Sequence, residues 1–245
     1  MRWIRQYTLY NYIKQGYHRW SIGVVGLVFV FSYTLAWLSP SDTDKIFSEL
    51  STSILEILFI LWAIVLAVHT AHKRIDTTTH TMHAQWLSYP QIFIAHRSVG
   101  ATIILLVCLL MCVGLFLATM FGVSIGSIIL LSLYLYMKIL LIYTIVFVLS
   151  HYSNVIVAGV LWLSLYILFY SFWLIQLRSQ WLGQFAQYIV DIMIYVSPYF
   201  ISIGQNTIQR EWLSDNIFTI VMSYGIYILC LLILGIRSYV RTRWK

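Results

Sequence analysis

Apolar residues in this chain come in long uninterrupted runs, separated by shorter stretches that hold most of the charge. Six runs, residues 20–39, 51–71, 99–121, 126–149, 155–174 and 216–236, approach or exceed the ~20 residues a helix needs to cross the hydrocarbon of a bilayer. They are rich in Leu, Ile and Val and lack the every-second-residue polar alternation of barrel strands, so they predict helices. The expected fold is an all-α integral membrane protein with six transmembrane helices, formed by residues 1–245 as a single domain.

The polar stretches refine this layout. In segment 1–19, Trp3, Tyr7, Tyr10, Ile13 and Tyr17 recur every three or four residues up to Trp20, while Arg2, Arg5, Lys14 and Arg19 fall largely on other faces. That pattern predicts an amphipathic helix lying in the headgroup layer. Residues 39–50, "SPSDTDKIFSEL", predict a short acidic outer loop opened by the helix stop Ser39-Pro40. "FGVSIG" predicts a tight outer turn between the third and fourth spans; its Gly122 and Gly126 make a GxxxG, better read here as turn chemistry than as a packing motif. Segment 175–215 is apolar and aromatic but interrupted by Asp191 and by Ser197-Pro198, and a full seventh span would carry the basic tail to the outer side. It predicts a re-entrant or interfacial pair of short helices, whose backbone must be buried by protein.

Composition excludes a soluble domain: 61% of residues are hydrophobic and 9% charged. The distribution of charge then sets orientation. With the N-terminus inside, Arg2, Arg5, Lys14, Arg19, Lys73, Arg74, Arg97, Arg237, Arg241, Arg243 and Lys245 are cytoplasmic, and only Lys45, Arg178 and Arg210 lie outside. Both termini are therefore expected in the cytoplasm of a multi-pass membrane protein, of a bacterial inner membrane. The net charge of +7 reflects that asymmetry and not nucleic-acid binding. The first run is preceded by a longer tail than a secretory signal carries and lacks a small-residue cleavage site, so a retained span is expected. Cys108, Cys112 and Cys230 all fall in apolar runs, which predicts packing roles and no disulfide framework.

The chemistry-bearing residues concentrate in one stretch, "HTAHKRIDTTTHTMHAQWLSYP", which begins at His69 and leads into the loop 72–97. Its second half predicts a short helix carrying Met82, Trp86 and Leu87, then a break at Pro90 and entry into the third span. Here "DTTTHTMHAQWLSYPQIFIAHRSVG" resembles the loop after the second span in ABC-2 type transporter permeases, the membrane subunits of ATP-driven exporters. Asp76 stands where that family has an acidic residue, Trp86 and Leu87 on the helix, Ser88-Tyr89-Pro90 at the break and Arg97 at the basic position. The usual glycine at the loop start is replaced by Thr77 to Thr79. The interfacial helix, six spans, inward termini and re-entrant segment before the last span agree with the family layout.

The resemblance implies a non-catalytic permease subunit. Its ATPase-coupling residues would be Asp76, Thr79, Met82, His83, Trp86, Leu87 and Pro90, with Met82, Trp86 and Leu87 as knobs in a cleft of the ATPase. The chain contains no GxxxxGK[ST], so ATP and Mg would be bound by a separate ATP-binding subunit, in two copies, and this chain would need no cofactor. A second permease chain, identical or similar, would complete the transporter, with the substrate path at the interface along the first, second and fifth spans. Besides these chains, the expected partner is membrane lipid.

Two other groups of residues carry alternatives. His69, His72, His80 and His83, spaced HxxH and HxxH, could supply imidazoles to a metal or haem. No Cys, no HExxH and no carboxylate orienter accompanies them, which favours polar decoration of the membrane surface. A haem- or metal-binding helical bundle is the runner-up, because His69, His96 and His151 fall near the inner ends of spans. An intramembrane hydrolase stands last for want of a nucleophile–base pair. Glu56 and Lys138 are ionisable groups embedded in apolar runs, Glu56 expected about two turns from the outer end and Lys138 mid-span; substrate contact, gating or a mutual ion pair stands against interfacial placement for Glu56 and against snorkelling or pairing inside the bundle for Lys138, the reading favoured for the lysine. Asp191 is a weaker candidate of the same kind. The aromatic share, 17%, fits interfacial belts, with an aromatic conduit for a glycan or amphipathic molecule as a further idea.

Overall fold

A computed structural model describes residues 6, 10, 17–38, 43–72, 89–116, 125–152, 160, 161, 164 and 207–241. Five long helices account for nearly all of them: α1 (Tyr17–Leu38), α2 (Thr43–His72), α3 (Tyr89–Leu115), α4 (Ile125–Tyr152) and α5 (Thr207–Arg241). Among the described residues all regular structure is helical. Three apolar stretches within these helices are long enough to cross a membrane: Phe93–Val113, Ile128–Ser150 and Ile217–Arg237. The shorter apolar segment Glu56–Val68 forms part of α2. The chain is thus a helical protein of membrane-spanning character.

The helix boundaries depart from the hydrophobic runs: all five helices start ahead of their runs, while α1 and α3 end short of theirs. α1 stops at Leu38, before Ser39-Pro40, as the proline demands. α2 starts at Thr43, so most of the expected acidic loop 39–50 is its first two turns. α3 starts at Tyr89, ten residues ahead of the expected position 99, and ends at Leu115, short of 121. Here Pro90 opens the helix instead of breaking one, because a proline in the first turn forfeits only an N–H that has no intrahelical acceptor. The loop expected over 72–97 is correspondingly cut back, and His96 and Arg97 are helical. α5 begins at Thr207, inside the expected outer segment 175–215. The interfacial helix 1–16, the fifth span 155–174 and the re-entrant segment up to 206 lie, but for a few isolated positions, outside the described residues.

The four helices α2 to α5 gather around α4, which packs against α2, α3 and α5, while α1 lies along α2 and touches α3. Two glycines set how closely they approach. At Gly100 a Cβ would overlap the Tyr143 ring, so α3 meets α4 through bare backbone. At Gly235 a Cβ would stand 2.7 Å from Phe93 Cζ and 3.0 Å from Val148 Cγ2, which brings α5 against both α3 and α4. Small residues at helix crossings serve membrane bundles in this way, because lipid-exposed helices gain by close packing rather than by escaping water. Gly126, by contrast, has nothing within 4 Å and packs no partner helix.

The core runs along α4: Tyr134, Leu135, Ile139, Leu141, Ile142, Tyr143, Val146 and Phe147 are all buried. The Phe147 ring stacks with Tyr143 at 5.7 Å and meets Phe93 of α3 at 5.2 Å. Several hydroxyls in the spans are satisfied by their own helices: Thr144 Oγ1 donates to the Leu140 carbonyl at 2.7 Å, and Ser150 and Thr102 do the same one turn back, whereas Ser132 Oγ is buried with no partner among the described residues. Of the cysteines, Cys108 is buried and Cys112 half-buried in packing roles, while Cys230 of α5 is exposed.

Candidate functional site

Glu56 and Lys138 meet. The Lys138 ammonium donates a hydrogen bond to Glu56 Oε1, joining α2 to α4 by an ion pair whose lysine is fully buried and whose carboxylate is nearly so. Glu56 stands thirteen residues into α2, about 20 Å along a helix whose apolar segment begins at Glu56 itself. Lys138 holds the matching place, thirteen residues into α4. Both charges are therefore near mid-helix, deep in the bundle.

Aromatic rings close the pair off. Lys138 Nζ sits 5.7 Å from the centroid of the Tyr134 ring one turn back on α4, a cation–π contact. Tyr134 in turn packs on Tyr224 of α5 at 6.2 Å, and both tyrosines are buried. The chain of contacts Glu56–Lys138–Tyr134–Tyr224 thus crosses from α2 through α4 to α5. Neighbouring Phe59, Ala63 and Ile139 are buried and apolar. In such surroundings a carboxylate or ammonium is tolerable only when paired, and the pair has no net charge. Hydrophobic residues of similar size would often be as stable, so the pair contributes less to net stability than to fixing which residues of α2 and α4 face one another.

A second polar contact joins the same two helices close to the end of α2. Thr70 Oγ1 donates to its own helix, at 2.8 Å from the Leu66 carbonyl, which leaves the Tyr143 hydroxyl to donate to Thr70 Oγ1 across 3.1 Å. Both side chains are buried. Arg97 of α3 is half-buried beside them and interacts electrostatically with Tyr143 and Tyr136. Neither the threonine–tyrosine bond nor the placement of Arg97 was foreseen from the sequence. A usable signal existed: Tyr136 and Tyr143 are seven residues apart and share a face of a largely apolar helix.

The remaining sequence candidates divide by position. Pro90 is half-buried in the first turn of α3. Asp76, Thr79, Met82, His83, Trp86 and Leu87 belong to segment 73–88, and Asp191 to segment 165–206, outside the described residues. His69 and His72 lie in the last turn of α2, His151 at the end of α4 and His96 in the second turn of α3, while His80 and His83 fall in segment 73–88. Among the described residues no three His, Cys, Asp or Glu side chains converge as a metal site.

Taken together, fold and site define a polytopic helical membrane bundle with a buried ion pair at its centre. No protein-family model, curated protein or solved structure matches the chain.

Proposed function

We propose that this chain is the transmembrane permease subunit of an ATP-driven exporter. It would work as a dimer with an identical or similar permease, in a bacterial inner membrane, with six spans and both termini in the cytoplasm. The observation that carries the proposal is how the helices flanking segment 73–88 are tied to α4. α2 is joined to α4 by Thr70–Tyr143 close to its end and by Glu56–Lys138 further along, and α3 by the bare-backbone contact of Gly100 with Tyr143. A force applied to 73–88 would reach the core through two long rigid helices at once, as a coupling segment requires.

In this scheme Met82, Trp86 and Leu87 engage a cleft of a separate ATP-binding subunit, present in two copies. Closure of that pair tilts α2 and α3 against α4, and access to the path between the permeases switches sides. The ion pair then sets the resting register of α2 on α4. The chain performs no bond chemistry itself; it converts movement of its partner into movement of the bundle.

Co-purification with the products of co-expressed neighbouring genes tests this. An ATPase is expected to copurify, and Trp86→Asp or Leu87→Asp is expected to abolish its coupling while the bundle still unfolds at the wild-type temperature. If the purified protein instead carries a Soret band or stoichiometric metal that disappears on replacing His69 and His72, the exporter proposal fails in favour of a haem- or metal-carrying bundle.

A further inference from the structure

Arg97 is the charge that the exporter scheme leaves unused. It lies four residues beyond Phe93, where the apolar stretch of α3 begins, so its Cα is about 6 Å inside that stretch. Its side chain is half-buried between α3 and α4, and its Nε is buried without a hydrogen-bond acceptor among the described residues. Glu56 makes the one ion pair found among the described residues, and that is with Lys138. A guanidinium at this depth, with an inward-facing N–H unmet, calls for an anion.

The surroundings favour one kind of anion. Tyr136 and Tyr143 place phenols within electrostatic range of Arg97, and Tyr143 is held by its bond to Thr70. The guanidinium fork matches two oxygens of a phosphate, whereas an ammonium would meet one. The depth, just inside the start of an apolar stretch, is where a phospholipid headgroup can be drawn in by a basic pocket between helices.

We propose that Arg97, with Tyr136 and Tyr143 beside it, is a binding site for a phosphate group, supplied by an anionic phospholipid at the end of the bundle where α2 meets α3. The site is separate from the Glu56–Lys138 pair and stands whether or not the chain is an exporter subunit.

The test uses the full-length protein in nanodiscs of phosphatidylglycerol or of phosphatidylcholine, with thermal unfolding as readout. Wild type is expected to unfold at a higher temperature in phosphatidylglycerol. Arg97→Gln is expected to lose that increment while keeping the phosphatidylcholine midpoint, and Arg97→Lys to keep part of it. Inorganic phosphate added to the phosphatidylcholine discs separates the sources: no increment assigns the site to the lipid, and a full increment that Arg97→Gln abolishes assigns it to a free phosphate and overturns the lipid as source. If Arg97→Gln does not fold, native mass spectrometry of wild type and Arg97→Lys decides. Phosphatidylglycerol retention is expected to be about tenfold weaker in the variant, the equivalent of one lost charge-assisted hydrogen bond. Equal increments or equal retention in wild type and variants overturn the proposal. So does a wild type with no lipid increment in which Asp76→Asn costs as much stability as Arg97→Gln, because Arg97 would then be paired within the chain.

Discussion

Helices α4 and α5 both carry an apolar stretch long enough to span a bilayer, yet they occupy opposite environments. Of the α4 stretch 56% is buried within the protein, and of the α5 stretch 17%. The stretch with the higher hydropathy is the one left outside. α5 turns Phe218, Met222, Ile226, Leu229 and Ile233 outward, and among its described residues only Ile220, Tyr224, Ile228 and Gly235 are buried. α4 holds Lys138 and Thr144 fully buried, together with Tyr134 and Tyr143. In lipid, apolar side chains gain nothing by turning inward, whereas polar ones must find partners there. Of the two apolar stretches, the one with more buried polar side chains is therefore the central one, the reverse of the rule in water.

This contrast can be broken first at the ion pair. Lys138→Met leaves Glu56 buried without a partner and is expected to cost about 3–5 kcal/mol, read as a fall in unfolding temperature and in monodisperse yield. Glu56→Met/Lys138→Met is expected to recover most of that loss; a double variant no more stable than Lys138→Met alone would show that the loss does not come from an unpaired buried carboxylate. Next comes helix approach. Gly100→Ala drives a methyl into the Tyr143 ring and is expected to cost about 1–3 kcal/mol by repacking. The same change at Gly225 of α5, where nothing lies within 4 Å, is expected to be neutral or slightly stabilising.

Smaller again is Tyr143→Phe, which removes the bond to Thr70 and keeps the ring. Thermal unfolding should register a loss of about 0.6 kcal/mol, in the range of single interhelical hydrogen bonds in membranes. Smallest is Phe218→Leu on the outer face of α5, expected within about 0.5 kcal/mol of wild type. A larger loss there, with a concentration-dependent unfolding temperature, would show that the outer face of α5 is covered by a second chain and not by lipid.

The helices were legible in the sequence because the hydrocarbon imposes a length and a composition on whatever crosses it. Their ends were not, for a reason visible at Pro90. Local rules describe a proline equally well as the break after one helix or the first turn of the next, and the apolar pattern begins only at Phe93. Glu56 and Lys138 stood out because ionisable residues are rare in apolar runs. Arg97 was legible as a basic position near the end of a span, but its burial beside Tyr143 depends on α3 and α4 meeting at Gly100, and no local pattern encodes that.

The sequence by itself thus determined that the chain is helical and suited to a membrane, through runs too apolar for water and too long for strands. It also determined which charges would need partners, through their rarity. Only the tertiary structure decided that Glu56 and Lys138 satisfy one another, that Tyr143 reaches Thr70, and that α4 is central while the apolar stretch of α5 is mostly exposed among the described residues. Those outcomes depend on how helices far apart in sequence are rotated and brought close, and that is set by the sum of many weak packing contacts, not by any single segment.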